Sequence, residues 1–223
     1  MRRVGRLSAW ASALICLAQV AGAHADPILT RNQHPLVSLY GLPLPLAARL
    51  PGTGSGDIGA TLNWSNIATT DTTDRSSYTL DGEVFEVRLQ AGHALGERFA
   101  VQGQLAWRQL SGGSLDSLVE SWHDLFSLPN GSRDRLPEDA LLIEYRSGES
   151  TLLRIDDESS GLADLPLAFG YQLVASDQGA VAAWLTIKVP TGKAADLTGS
   201  GAADVALSLA GERQLSERWQ LFG

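Results

Sequence analysis

Repeated alternation of apolar and polar residues restricts what this chain can fold into more than any other feature. Successive side chains of a strand point to opposite faces, so a period of two marks half-buried β-structure. Ile58, Ala60, Leu62 and Trp64 alternate with Gly59, Thr61, Asn63 and Ser65. Phe85, Val87 and Leu89 alternate with Glu86, Arg88 and Gln90. Phe99, Val101, Gly103, Leu105 and Trp107 alternate with Ala100, Gln102, Gln104, Ala106 and Arg108. The rhythm resumes over 165–173, 181–189 and 205–209, and Trp219 with Leu221 opens a seventh strand.

Segments of about ten residues are what a tilted strand needs to cross an outer membrane. A soluble sandwich also buries one face of each strand, so the connections have to separate the two. They run long (67–82), short (92–97), very long (109–163), short (174–180), medium (190–203) and short (210–217). Long external loops alternating with tight periplasmic turns predict an antiparallel up-and-down transmembrane β-barrel. Glu86, Arg88, Gln102, Gln104, Arg108 and Lys188 then line the lumen. Trp64, Trp107 and Trp219 fall near strand ends, where aromatic girdles sit; in a sandwich they would be core. The chain stops at Phe222-Gly223 inside a strand, at an odd count. Single-chain bacterial barrels have even counts, so the expectation is a partial barrel whose C-terminal strands are missing.

The N-terminus supplies an address. Arg2, Arg3 and Arg6 precede an apolar run from Leu7 to Val20, and Ala23-His24-Ala25 is a signal-peptidase pattern. That predicts a cleaved signal peptide over 1–25, too short for a spanning helix. The only cysteine, Cys16, leaves with it, so the mature chain has no disulfide, thiolate metal site or cysteine nucleophile. The leader holds three arginines and no acid. Its loss leaves 14 basic against 25 acidic residues, a net charge of −11, which gives nucleic acid no footprint. The expected location is the outer membrane of a Gram-negative envelope. Its lipid is the main partner there, with periplasmic chaperones and the barrel-assembly machinery acting during export.

Residues 26–57 form a proline-rich lead that cannot be helix or interior strand, with the barrel over 58–223. Inside the 109–163 loop, Leu115, Leu118, Val119, Trp122, Leu125 and Phe126 predict a helix over 114–128. Ser114 is its expected cap, and Pro129-Asn130-Gly131 its end. A hairpin of 141–145 and 151–155, turning at 146–149, would stand above the barrel.

Asn32-Gln33-His34-Pro35 with Tyr40-Gly41-Leu42-Pro43, and Gly113-Ser114-Leu115-Asp116-Ser117-Leu118 running into Trp122-His123-Asp124-Leu125-Phe126, carry a family resemblance. Leu128-Pro129-Asn130-Gly131, Ser160-Gly161-Leu162-Ala163-Asp164, Pro190-Thr191-Gly192-Lys193 and Gly199-Ser200-Gly201-Ala202-Ala203-Asp204 add to it. From about residue 28 to the end, the chain resembles domain-of-unknown-function family 3187, an uncharacterised bacterial outer-membrane group. The resemblance implies a barrel of unknown role with longer members and no catalytic residues to carry over.

Chemical motifs are sparse. His123, oriented by Asp124 with a serine nucleophile, would make a lipid hydrolase or acyltransferase. Adjacent helical residues diverge by about 100°, so the favoured reading is that Trp122 packs the helix against the barrel mouth while His123 and Asp124 face water or tie down the loop. Asp156, Asp157, Glu158 and Asp164 lack calcium-loop spacing. Gly54-Ser55-Gly56-Asp57-Ile58-Gly59 precedes a strand rather than opening a helix, and Pro190-Thr191-Gly192-Lys193 lacks the rest of a phosphate loop. No metal and no cofactor is expected. The leading expectation is a non-enzymatic barrel giving a small solute a pore or uptake route, or serving the envelope structurally. The alternatives are the His123 enzyme and a soluble periplasmic binding sandwich.

Overall fold

A computed structural model describes residues 31–40 and 46–223. The expected signal peptide, with Cys16, and residues 41–45 of the lead lie outside the described residues. Ten strands form one antiparallel sheet. Seven are a meander in which each strand pairs with the next of the set: β1 (Gly56–Thr72), β2 (Ser76–Ala94), β3 (Phe99–Ser111), β7 (Leu165–Ser176), β8 (Gly179–Val189), β9 (Asp204–Ser216) and β10 (Trp219–Phe222). These are the seven strands that alternation predicts, and the sheet curls into a half-barrel.

The remaining strands extend that wall. β4 (Leu142–Ser147) pairs with the upper part of β2 from Ser76 to Asp81 and carries β5 (Ser150–Ile155) as a hairpin. Its turn is the two residues Gly148-Glu149, with positive φ at Gly148. β6 (Ser159–Leu162) pairs with the upper part of β3. Gly82 marks the point where the edge of β2 passes from β3 to β4. Its φ of 139° lies outside the reach of ordinary side chains, and a Cβ there would come within 3.0 Å of the Ser111 carbonyl oxygen.

One connection differs from expectation. Residues 67–82 are almost entirely strand, with a tight turn over 73–75. Thr69, Thr70, Thr72, Ser76, Ser77 and Thr79 carry no apolar alternation, yet the ladder from Ile67↔Gly82 to Thr72↔Ser77 is unbroken. Backbone pairing and polar β-branched side chains suffice there. Loop 190–203 lies where the sequence places it.

Burial is inverted relative to a soluble core. The apolar phase is the convex face and is exposed: Ile58 at 88 % and Leu207 at 79 %, with Trp64, Trp107 and Trp219 also open. These tryptophans are therefore not core, and a single curled sheet is not a sandwich. The polar phase is the concave face, and its Glu86 is fully buried. Two apolar clusters bracket that polar middle. Val84, Leu110 and Ile143 pack with Leu39 and Leu197, while Ala100, Ala168, Ala182 and Trp184 pack with Leu50.

What covers the concave face is the lead itself. Lys188 Nζ donates to the Leu39 carbonyl at 3.0 Å, and Trp184 Nε1 to that of Ala47 at 2.9 Å. The Gln172 amide accepts from the Leu50 N–H at 2.8 Å and donates to the Ala48 carbonyl at 2.9 Å. Residues 31–40 and 46–50 thus form a strap inside the curl. The strap is not extended throughout: Val37–Leu39 form a 3-10 turn that satisfies some of its own backbone groups, and side chains of the wall satisfy others.

Helix α1 (Asp116–Phe126) falls inside the predicted span, but Ser114 does not cap it. No side chain caps the first turn; instead the Glu83 carboxylate holds the lead-in, accepting the Ser114 N–H at 3.0 Å and the Leu115 N–H as well. Gly113 makes that approach possible, with a φ of 80° and a would-be Cβ only 1.9 Å from Glu83 Cδ. Gly113→Val should cost about 1–3 kcal/mol in backbone strain, besides expelling Glu83. Limited proteolysis should then cut within 112–141 faster than in the unsubstituted protein; an unchanged cleavage rate would show that Glu83 does not hold the loop.

Candidate functional site

The concave face carries one continuous charged layer, set by three strands. Glu86 and Arg88 lie two apart on β2, on the same face, and Arg108 is directly opposite Glu86 on β3. Arg88 Nη2 donates to Glu86 Oε1 at 2.6 Å, and Arg108 Nη2 to Oε2 at 2.8 Å. The Nε of each arginine donates to the same oxygen at 3.2 Å. Each carboxylate oxygen is therefore saturated by one guanidinium. Arg88 also donates to Gln104 Oε1 at 3.0 Å, and Arg108 Nη1 reaches the Leu197 carbonyl at 3.4 Å.

Lys188 on β8 forms the second half of the layer. Its ammonium lies 3.1 Å from Asp164 Oδ2 and 2.5 Å from Asp204 Oδ2, and donates to Ser200 Oγ at 2.6 Å. Asp164 in turn holds the 190–203 loop, accepting the Gly192 N–H at 3.0 Å and the Ser200 N–H at 2.9 Å. Between the two halves is a cavity of about 30 Å³ lined by Arg31, Arg88, Arg108 and Lys188, with Ser38 and Thr198. Such a space holds a water or a small ion rather than an organic substrate. Arg31 of the strap donates to the Ser38 carbonyl at 2.8 Å. Burial first, and then the Arg88 charge, lower its pKa to about 10.

The residues assigned to the lumen by alternation thus share the concave face. Glu86, Arg88, Gln104, Arg108 and Lys188 are brought together and buried, while Gln102 stands lower on β3, half-buried beside a shallow depression with His93 and Phe169. They are paired with one another and covered by the strap and the 190–203 loop, a closed ionic layer rather than an open water-facing row.

The loop motif sits elsewhere. Trp122 does not pack on the barrel mouth: it is 58 % exposed, and its ring meets Phe126 at 4.5 Å. The reason is that α1 turns its polar side to the sheet. His123 Nδ1 lies 2.9 Å from Asn130 Oδ1, tying the helix to the turn behind it, and Asp124 is exposed. The helix ends before Pro129 with Ser127 left-handed at φ 55°, and Gly131 is left-handed in the following turn. Among the described residues, the hydrogen-bond partner of the His123 ring is Asn130 and not a serine. Among the described residues no group of three or more His, Cys, Asp or Glu is placed to hold a metal ion. Asp156 pairs with Arg154, apart from Asp164.

A second polar knot lies on the convex side, and sequence reasoning missed it. Glu83 accepts Trp64 Nε1 at 2.7 Å and Asn66 Nδ2 at 3.2 Å. Asp116 accepts Asn66 Nδ2 at 2.9 Å, Arg133 Nη1 at 2.6 Å and the Asp139 N–H at 2.8 Å. The signal was present: Glu83 shares the phase of Phe85 and Val87, and Asn66 that of Trp64, so both are polar residues where the apolar phase of their strands gives way to Asp81 and Thr70.

Glu86→Gln leaves two buried guanidinium groups sharing a neutral amide, and should cost about 3–5 kcal/mol, as breaking buried ion pairs does. Chemical denaturation of the folded protein checks this. Replacing Glu86, Arg88 and Arg108 together by Leu should recover most of the loss, whereas a triple variant as unstable as the single one would refute the pairing argument.

The sequence matches, over residues 8–223, the family described as "Protein of unknown function (DUF3187)". No curated protein and no solved structure matches the chain.

Proposed function

The chain belongs to the DUF3187 family, and from that premise we propose that it forms the wall of an outer-membrane β-barrel whose lumen is occupied by its own N-terminal strap. The observation that carries this reading is the inverted burial. Monomeric soluble proteins rarely expose contiguous apolar surface beyond a few hundred Å². Here the convex phase is apolar and open over much of the long strands (Ile58, Leu62 and Trp64 on β1; Leu105 and Trp107 on β3; Leu167 and Phe169 on β7; Leu185 and Ile187 on β8; Val205, Leu207 and Leu209 on β9), while the concave phase holds the buried layer of Glu86, Arg88, Arg108 and Lys188. Lipid satisfies the first face, and the second suits a lumen. The aromatic row Trp64–Phe85–Trp107, with ring centroids 6.1 and 6.4 Å apart, fits a girdle along one interface.

The role that follows is a restricted route for a small solute, with the strap and the ionic layer as its barrier. A structural role in the envelope is the alternative. A hydrolase centred on His123 gains no support from the geometry.

Cells expressing the natural gene should yield the protein in the outer membrane. Unheated and boiled samples should migrate differently on a denaturing gel. Recovery in osmotic-shock fluid without a shift would discard the barrel. In planar bilayers, deletion of residues 31–40 should raise single-channel conductance severalfold; equal conductance with and without them would leave only the structural role.

A further inference from the structure

Helix α1 is amphipathic in the opposite sense to a helix packed on a soluble core. At 100° per residue Leu118, Trp122 and Leu125 fall within about 60° of one another. They are 64 %, 58 % and 73 % exposed. Asp116, Glu120 and His123 lie on the opposite arc, toward the sheet and its turn. Amphipathic helices of globular domains bury the apolar stripe; this one buries the polar side.

The side of the sheet on which it sits gives the reason. Asn66 and Glu83 share the phase of the exposed Trp64 and the half-buried Phe85, and β1 and β2 pair without a register shift between them. Both are nevertheless covered, by the start of α1 and by Arg133. The helix therefore lies on the convex side of the sheet, over its polar patch of Asn66, Asp81 and Glu83. One carboxylate, Glu83, joins its first turn to the indole of Trp64. The apolar stripe thus faces away from the sheet on the same side as the aromatic row.

We infer that α1 lies in the membrane interface, with Leu118, Trp122 and Leu125 inserted at the boundary between headgroups and acyl chains. The inference rests on the barrel reading above and adds a lipid-binding element outside the wall. Its occupant is a bilayer surface. A partner protein would need to cover the stripe alone, whereas lipid covers the stripe and the neighbouring convex face together. Between Asp116 and Phe126 the helix carries Asp116, Glu120 and Asp124 and no Lys or Arg. Attachment is therefore driven by apolar area, not by attraction to anionic lipid, and persists at high salt and in zwitterionic bilayers.

The test uses the natural chain with Cys16→Ser, reconstituted in phosphatidylcholine vesicles. Leu125→Cys, Leu207→Cys and Glu149→Cys are labelled one at a time with a polarity-sensitive fluorophore. The heat-dependent gel shift verifies that each variant folds. Leu207 reports the convex wall, and Glu149 the tip of the β4–β5 hairpin. The expected result is that brominated phosphatidylcholine quenches labels at 125 and 207 to a similar extent, while aqueous iodide quenches the label at 149 severalfold more than either. Quenching at 207 by bromolipid but at 125 only by iodide would overturn the interfacial helix and leave the barrel intact. Failure of bromolipid to quench at 207 would overturn the barrel reading and this inference with it.

Discussion

Everything on the concave side depends on neutralising charges that the strand pattern places where water is scarce. A buried carboxylate needs both oxygens satisfied, or the cost of desolvation outweighs what attraction returns. Glu86 meets that requirement with two guanidinium groups, one from its own strand and one from the next. The arrangement also fixes register. Sliding β3 by one residue against β2 would carry Arg108 to the apolar face and leave Glu86 half-paired. Lys188 acts in the same way between β8 and β9, where Asp204 lies directly opposite. The ionic layer is therefore a register lock before it is anything else.

Carboxylates also organise what the ladders cannot. Asp164 gathers the break between β6 and β7, the 190–203 loop and Lys188 into one knot. Three segments that carry the family resemblance meet there: 160–164, 190–193 and 199–204. Glu83 does the same on the other face for the 113–118 stretch. These motifs look in sequence like separate turn fragments. In three dimensions each is the receiving end of a buried acid, supplying backbone N–H groups that only a tight, glycine-containing turn can present.

The seven meander strands, their order and the face on which their apolar side chains fall were legible because period-two alternation reports them directly; β6 and the pairing of β4 with β2 were not. Helix α1 was legible from its three-and-four spacing. Other features were not. Residues 67–72 and 76–81 pair through Thr and Ser, which give no apolar signal, so β1 and β2 read as shorter than they are. The strap was placed as an extended lead, but no local pattern says that Leu39 and Leu50 return to the concave face. Glu86 was assigned to a lumen, yet its pairing partners could not be told apart from solvent by alternation alone. Glu83 and Asn66 were visible as polar residues in the apolar phase and were passed over because the strand still scored as alternating.

Helix α1 illustrates a limit of amphipathicity as a signal. Spacing identifies a helix with two unlike faces, but it does not say which face is turned to the protein. The natural assumption is a protein core, which led to Trp122 being placed against the barrel mouth. The sign is set by what the helix lies on. Over an apolar surface the apolar stripe packs inward. Over Asn66, Asp81 and Glu83 the polar side packs inward, and the stripe faces away from the sheet on the convex side. Polar residues in the convex phase of two adjacent strands, Asn66 on β1 with Asp81 and Glu83 on β2, thus turn the polar side of an eleven-residue helix toward the sheet.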